Sequence, residues 1–237
     1  MRIGFLTAHG TAGIDGLLED RRRGELFDVA SVIPGATSAV PRNLREREEF
    51  DRENAALLKS LGADTLFAVG YPYVLTEPML DRFPGRIIAV HDGDLTDVDA
   101  GGRRRWVGLH AVQEAILAGA PATRSSLYIV TRDVGHGPLL LVGPRHEVAR
   151  LATDALARGD YAAVKAYARL HRAWMRNSWG TLILRAIELL VGGTIQVTGN
   201  TVWIDGVPGA CRLGEPPDAC EEKVAHDIPV SCPFIQR

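Results

Sequence analysis

Four short apolar runs, each running into a polar turn that carries glycine or proline, restrict this chain to a layered α/β fold. Residues 2–7 (RIGFLT) lead to His9-Gly10-Thr11, and residues 27–33 (FDVASVI) to Pro34-Gly35. Residues 64–69 (DTLFAV) lead to Gly70-Tyr71-Pro72, and residues 86–90 (RIIAV) to His91-Asp92-Gly93-Asp94. Runs this short and this continuous suit strands buried on both faces, as in a parallel sheet. The segments between them read as helices. Residues 14–22 are amphipathic, and residues 46–61 place Phe50, Asn54, Leu57, Leu58 and Leu61 at helical spacing before Gly62 stops them.

Further on, residues 109–117 read as helix. Residues 125–130 and 138–142 read as an antiparallel pair around Val134-Gly135-His136-Gly137, and residues 147–190 as mostly helix. Beyond Gly193, residues 194–197 and 201–204 flank Thr198-Gly199-Asn200, a hairpin signal. The sequence therefore predicts an α/β protein: an open, mostly parallel sheet with helices on both faces, plus a C-terminal β-hairpin and an irregular tail. The expected division is a main domain over residues 1–205 and a cysteine-containing tail over residues 206–237.

With 46% hydrophobic and 24% charged residues, the chain has the make-up of a globular protein able to bury a full core. A formal charge of −2 gives no general attraction to nucleic acid or anionic lipid, despite the local cluster Arg103, Arg104 and Arg105. The apolar start is too short for a signal-peptide core or a membrane span, so the expected location is cytoplasmic. Cys211, Cys220 and Cys232 are an odd number confined to the tail, which does not describe a disulfide framework. No metal site is expected. The acids Asp92, Asp94, Asp97 and Asp99 do not follow the calcium-loop spacing, and the tail lacks a closely spaced cysteine pair.

Three stretches carry a resemblance. The run FDRENAALLKSLGADTLFAVGYPYVLTEPMLDRFPGRIIAVHDGDL resembles, in order and spacing, a helix, strand, glycine-aromatic loop, strand and histidine loop of the folate-dependent formyltransferase family, most closely the glycinamide ribonucleotide formyltransferases. GLHAVQEAILAG resembles the helix that follows, and SSLYIVTRDVGHGPLLL the hairpin that holds the pterin of 10-formyltetrahydrofolate. The resemblance covers roughly residues 1–195.

The resemblance implies formyl transfer from 10-formyltetrahydrofolate. That reaction needs an amine nucleophile, donors for the developing oxyanion and a group that moves the amine's proton to the departing folate nitrogen. The family supplies an asparagine, a histidine two residues later, and an aspartate in the hairpin. Here the histidine is His91, but the asparagine position is Ala89 and the aspartate position is Gly135. His136, adjacent to that position, and Asp133, two residues before it, are the candidates to move the proton.

On the folate side the resemblance implies contacts from Gly70, Tyr71, Val74, Leu75, Val130, Asp133, Val134 and Gly135, while Tyr73 stands where the family has an arginine. On the acceptor side, His9, Gly10 and Thr11 resemble the family's phosphate-binding glycine loop, departing from it at Ala8 and Ala12. His171 matches a family histidine, but Leu170 replaces the preceding acidic residue. Asp92 and Asp94 complete the expected acceptor contacts. These departures point to a small-molecule amine other than glycinamide ribonucleotide. A catalytically silent folate- or ligand-binding homologue and a deformylating hydrolase on the same fold are the alternatives, and a homodimer is left open.

Overall fold

A computed structural model describes residues 1–8, 13–20, 23–35, 43–198, 201–204, 207–208 and 211–212. The first half runs β1 (Arg2–Thr7), α1 (Asp15–Leu18), β2 (Asp28–Pro34), α2 (Leu44–Ser60), β3 (Thr65–Val69), α3 (Glu77–Arg82), β4 (Ile87–His91) and α4 (Ala111–Leu117). There follow β5 (Ala122–Thr123), β6 (Ser126–Ile129), β7 (Leu139–Val142), β8 (His146–Glu147), α5 (Arg150–Ala157), α6 (Tyr161–Met175) and α7 (Trp179–Val191). Short strands close the described chain: β9 (Ile195–Thr198), β10 (Thr201–Ile204), β11 (Val207–Pro208) and β12 (Cys211–Arg212).

The main sheet has the order β12-β7-β6-β4-β3-β1-β2. Strands β2, β1, β3 and β4 are mutually parallel, as their continuous apolar runs require, while β6 and β7 are antiparallel. Strand alternation divides the core. Phe5, Phe67, Val69, Ile88, Val90 and Leu127 pack beneath α7, while Leu6, Leu66, Ala68, Ile87, Ala89 and Tyr128 pack with α2 and α3. The sheet is thus covered on both sides, and the ends of β3 and β4 bring Gly70 and His91 to one edge.

Local chemistry explains where the expected elements shift. Helix α2 begins two residues early because Asn43 caps it, its side chain accepting from the Glu46 N–H at 3.0 Å. Helix α3 was not expected. It is six residues long and has a proline in its first turn, and its start is held by buried Asp51, which accepts from the Thr76 N–H and hydroxyl at 2.6 and 2.7 Å. The expected helix over 14–22 is only Asp15–Leu18 among the described residues. In the segment expected to be irregular, β11 joins the β9–β10 hairpin and β12 pairs in parallel with β7 at the edge of the main sheet. Cys220 and Cys232 lie outside the described residues, as do His9, Gly10 and Thr11. No helix among the described residues is long and apolar enough to cross a membrane.

Candidate active site

His91 closes β4 on the face shared with Ala89 and Tyr128, and its ring meets the Tyr128 ring edge-on at 6.5 Å. Its Nε2–H donates to the Trp106 carbonyl at 2.5 Å; a carbonyl can only accept, so the bond fixes this tautomer. Burial holds the imidazole pKa below its ordinary value, and the charges of Arg172 and Arg104 act in the same direction. Gly93 makes the contact possible: a Cβ there would run into the Trp106 carbonyl and lie 2.8 Å from His91 Nε2.

Three carboxylate oxygens of the acidic loop after β4 serve its own folding. Asp94 Oδ1 accepts from the Thr96 N–H and hydroxyl, Asp97 Oδ2 from Trp106 Nε1–H at 2.5 Å, and Asp99 Oδ1 from the Gly101 and Arg103 N–H groups. Ser126 pins the loop to β6, donating to the Gly93 carbonyl at 2.7 Å and accepting from the Leu95 N–H at 3.1 Å. Asp92 emerges on the opposite side of the strand from His91. Its carboxylate is 6% exposed, and Oδ2 takes both Arg172 and Arg176. Asp92 Oδ1 is buried with no partner among the described residues.

The turn after β6 is drawn toward His91 by the loop after β4. Arg104 Nη1 donates to the Gly135 and Gly137 carbonyls at 2.7 and 2.9 Å, and a Cβ on Gly135 would fall 2.8 Å from Val107 Cβ. Gly135 also has φ +76°, so the position that the resemblance aligns with the family's aspartate is closed to a side chain by both backbone and neighbour. A guanidinium now lies against it. His136 does not join His91: it accepts from Arg103 at 3.4 Å, and partial burial lowers its pKa first, opposed by Asp133. Asp133 is exposed on the same turn and couples electrostatically to Arg104.

On the folate side, Arg132 of the turn pairs with Glu77 and Asp81 of α3, the helix that follows loop 70–75. Val74 and Val134 stand exposed, Leu75 is buried, and Val130 packs partly into the core. Gly70 takes φ +63° above the Trp179 ring. Tyr71 is half-buried beside Tyr73, with its pKa raised by burial and by Asp51. Arg47 of α2 stacks 4.1 Å over the Tyr73 ring and donates to the Val74 carbonyl, so a cation stands at Tyr73 after all. Nothing in the charged stretch RERE distinguishes Arg47 from its neighbours in sequence.

His171 is 3% exposed, and both its ring nitrogens are engaged. The Ala149 N–H donates to Tyr167 Oη, whose proton goes to His171 Nδ1; His171 Nε2–H then donates to Thr123 Oγ1 at 2.7 Å, which donates to Met175 Sδ. This directional chain joins α6 to β5 and gives His171 the surroundings of a packing residue rather than an open acceptor contact.

The sheet order, the histidine at the end of β4 and the turn folded over it define a formyl-transferase architecture. Residues 19–158, more than half of the chain, match the model of the family described as formyl transferase, and the chain belongs to that family. Its relatives include phosphoribosylglycinamide formyltransferase from Haemophilus influenzae, 28% identical over 100 residues that make up 42% of this chain and 43% of that protein. The trifunctional purine biosynthetic protein adenosine-3 from Drosophila melanogaster is 24% identical over 157 residues, 66% of this chain and 10% of that protein. The chain thus spans less than half the length of either relative. Among solved structures, glycinamide ribonucleotide transformylase 1 from Symbiobacterium toebii superposes with a TM-score of 0.65 at 25% identity, covering 86% of this chain and 93% of that one.

Proposed function

We propose that this chain binds 10-formyltetrahydrofolate between loop 70–75 and turn 130–138 and transfers its formyl group to an amine of a small molecule other than glycinamide ribonucleotide. The observation that carries the donor half is Arg47 stacked on Tyr73. In this reading it offers a guanidinium to the carboxylate end of the folate, with exposed Val74 and Val134 available to the pterin. In the reaction, the neutral amine nitrogen bonds to the formyl carbon, the bond from that carbon to the folate nitrogen breaks, and one amine proton ends on the departing nitrogen.

His91 is the donor to the formyl oxygen in this reading. Its Nε2–H is held by the Trp106 carbonyl, so transfer requires that carbonyl to withdraw. One such donor is worth about 2.7–4 kcal/mol of barrier, and Ala89 contributes none. Arg104 at the turn supports the negative charge from a second direction, and Asp133 or His136 carries the proton. The second reading, a ligand-binding homologue without transfer, is favoured by the same His91–Trp106 bond: if the bond persists with ligand present, His91 has nothing to donate.

Calorimetry with a stable 10-formyltetrahydrofolate analogue, and with the same compound lacking its glutamate, tests the donor site in wild type and Arg47→Gln. The substitution is expected to weaken the glutamate-bearing compound about tenfold, roughly one charge-assisted hydrogen bond, and to leave the truncated one unchanged. Absence of binding at millimolar analogue refutes the proposal. Formyl transfer to amines, or its absence, then separates the two readings.

A further inference from the structure

The loop between β4 and α4 closes on itself as a tight hairpin over residues 97–106. Val98 and Arg104 form an antiparallel bridge, the Asp99 N–H donates to the Arg103 carbonyl at 2.9 Å, and the Arg105 N–H donates to the Asp97 carbonyl at 3.0 Å. The Asp97 carboxylate fastens the open end. Its Oδ2 accepts from Trp106 Nε1–H at 2.5 Å, and its Oδ1 lies 3.7 Å from the guanidinium of Arg105, which also sits over the Trp106 ring. Bonded across its whole length, the hairpin moves as one body.

Its surroundings differ from side to side. Toward the turn after β6, Arg104 holds the Gly135 and Gly137 carbonyls and Val107 lies against Gly135. Toward β4, the Trp106 carbonyl takes the His91 Nε2–H. Asp97, Arg105 and Trp106 instead line a cavity of about 240 Å³, together with Ala111 and Ala115 of α4 and Ala118 at the end of that helix. A hydrogen bond is lost beyond about 3.5 Å, so releasing His91 takes a carbonyl shift of only about 1 Å. The cavity has room for it.

We propose that hairpin 97–106 is a gate on His91: rolling about its Arg104 and Val107 contacts, it moves into the cavity and draws the Trp106 carbonyl off Nε2. Asp97 is the positioning residue, because by tying the Trp106 indole to Arg105 it sets where that carbonyl stands. A buried ring N–H without an acceptor is costly, so the closed gate is the resting state, and the open one is favoured when another acceptor takes the N–H. Arg104 stays on the turn throughout and keeps its charge there. That the incoming acceptor is a formyl oxygen rests on the transfer reading above; the gate itself does not.

Solvent exchange of the His91 Nε2–H, followed by NMR on the isotope-labelled chain without ligand, reports opening. Each variant's rate is read against its own stability in urea. Ala118→Leu, at an exposed position on the cavity wall, takes up the room and is expected to slow exchange about tenfold. Asp97→Ala should speed it about tenfold, roughly one hydrogen bond, whereas Asp97→Asn keeps an acceptor for the indole and should stay near wild type. An unchanged rate in Ala118→Leu or in Asp97→Ala overturns the proposal. So does wild-type exchange that proceeds only through global unfolding, recognised by its matching the stability in urea. A gate that opens in a protein that binds no folate analogue sinks the donor reading alone; analogue binding with unchanged exchange rates sinks the gate alone.

Discussion

Replacing His171 by leucine tests whether this residue serves packing or an acceptor. Leucine is close in volume, so the main loss is polar. Tyr167 Oη keeps the Ala149 N–H but loses the acceptor for its own proton, and Thr123 Oγ1 keeps Met175 but loses its donor. Each lost bond that leaves a largely buried partner is worth about 1–2 kcal/mol, giving a destabilisation of about 2–4 kcal/mol. The pH dependence supplies a second check. Burial, followed by the nearby His146, lowers the His171 pKa from 6.5, so below about pH 6.5 the unfolded chain takes up a proton that the folded chain refuses. Its contribution is complete above that pH and lost as pH falls, so the gap between wild type and His171→Leu is large at pH 7.5 and narrows at pH 5.5. Urea titrations at the two pH values measure this. A variant as stable as wild type that has lost ligand binding would refute the packing assignment.

Three further substitutions probe the strand end and the turn. Gly93→Ala should cost about 1–3 kcal/mol, because its Cβ meets the Trp106 carbonyl and the His91 ring, and should remove the hydrogen-bonded Nε2–H resonance of His91 from the proton spectrum; an unchanged resonance contradicts the packing described. Asp92→Asn leaves half-exposed Arg172 and Arg176 without their shared carboxylate, for a thermal-stability loss equivalent to about 1–3 kcal/mol, reduced when both arginines are changed to glutamine. Gly135→Asp, which restores the family's carboxylate, should destabilise by about 1–3 kcal/mol through its positive φ and Val107, and Val107→Ala should recover part of that in a double-mutant cycle.

The layered sheet was legible because β1 to β4 are buried on both faces and show it as unbroken apolar runs ending in polar turns. Helix α3 was not, because Asp51, far away in sequence, holds its first turn and the helix itself is short. The placement of His91 at the end of β4 was legible from the apolar run that precedes it. The companions of His91 were not: Arg103-Arg104-Arg105 reads as a basic surface cluster, and only the fold shows Arg104 reaching the carbonyls of a turn some thirty residues on. His171 illustrates the converse. A residue at a family position can be committed to packing when neighbours absorb both its nitrogens, and no spacing in the sequence reports that.

At the end of β4, consecutive residues part ways, His91 toward Tyr128 and Asp92 toward α6. Because a strand alternates with period two, inserting or deleting one residue here would exchange the two sides, sending a carboxylate to the folate face and an imidazole among the arginines. This strand end therefore tolerates change of residue type but not of length. Its chemistry can be retuned one side chain at a time only while the count of residues from Ile87 to Gly93 stays fixed.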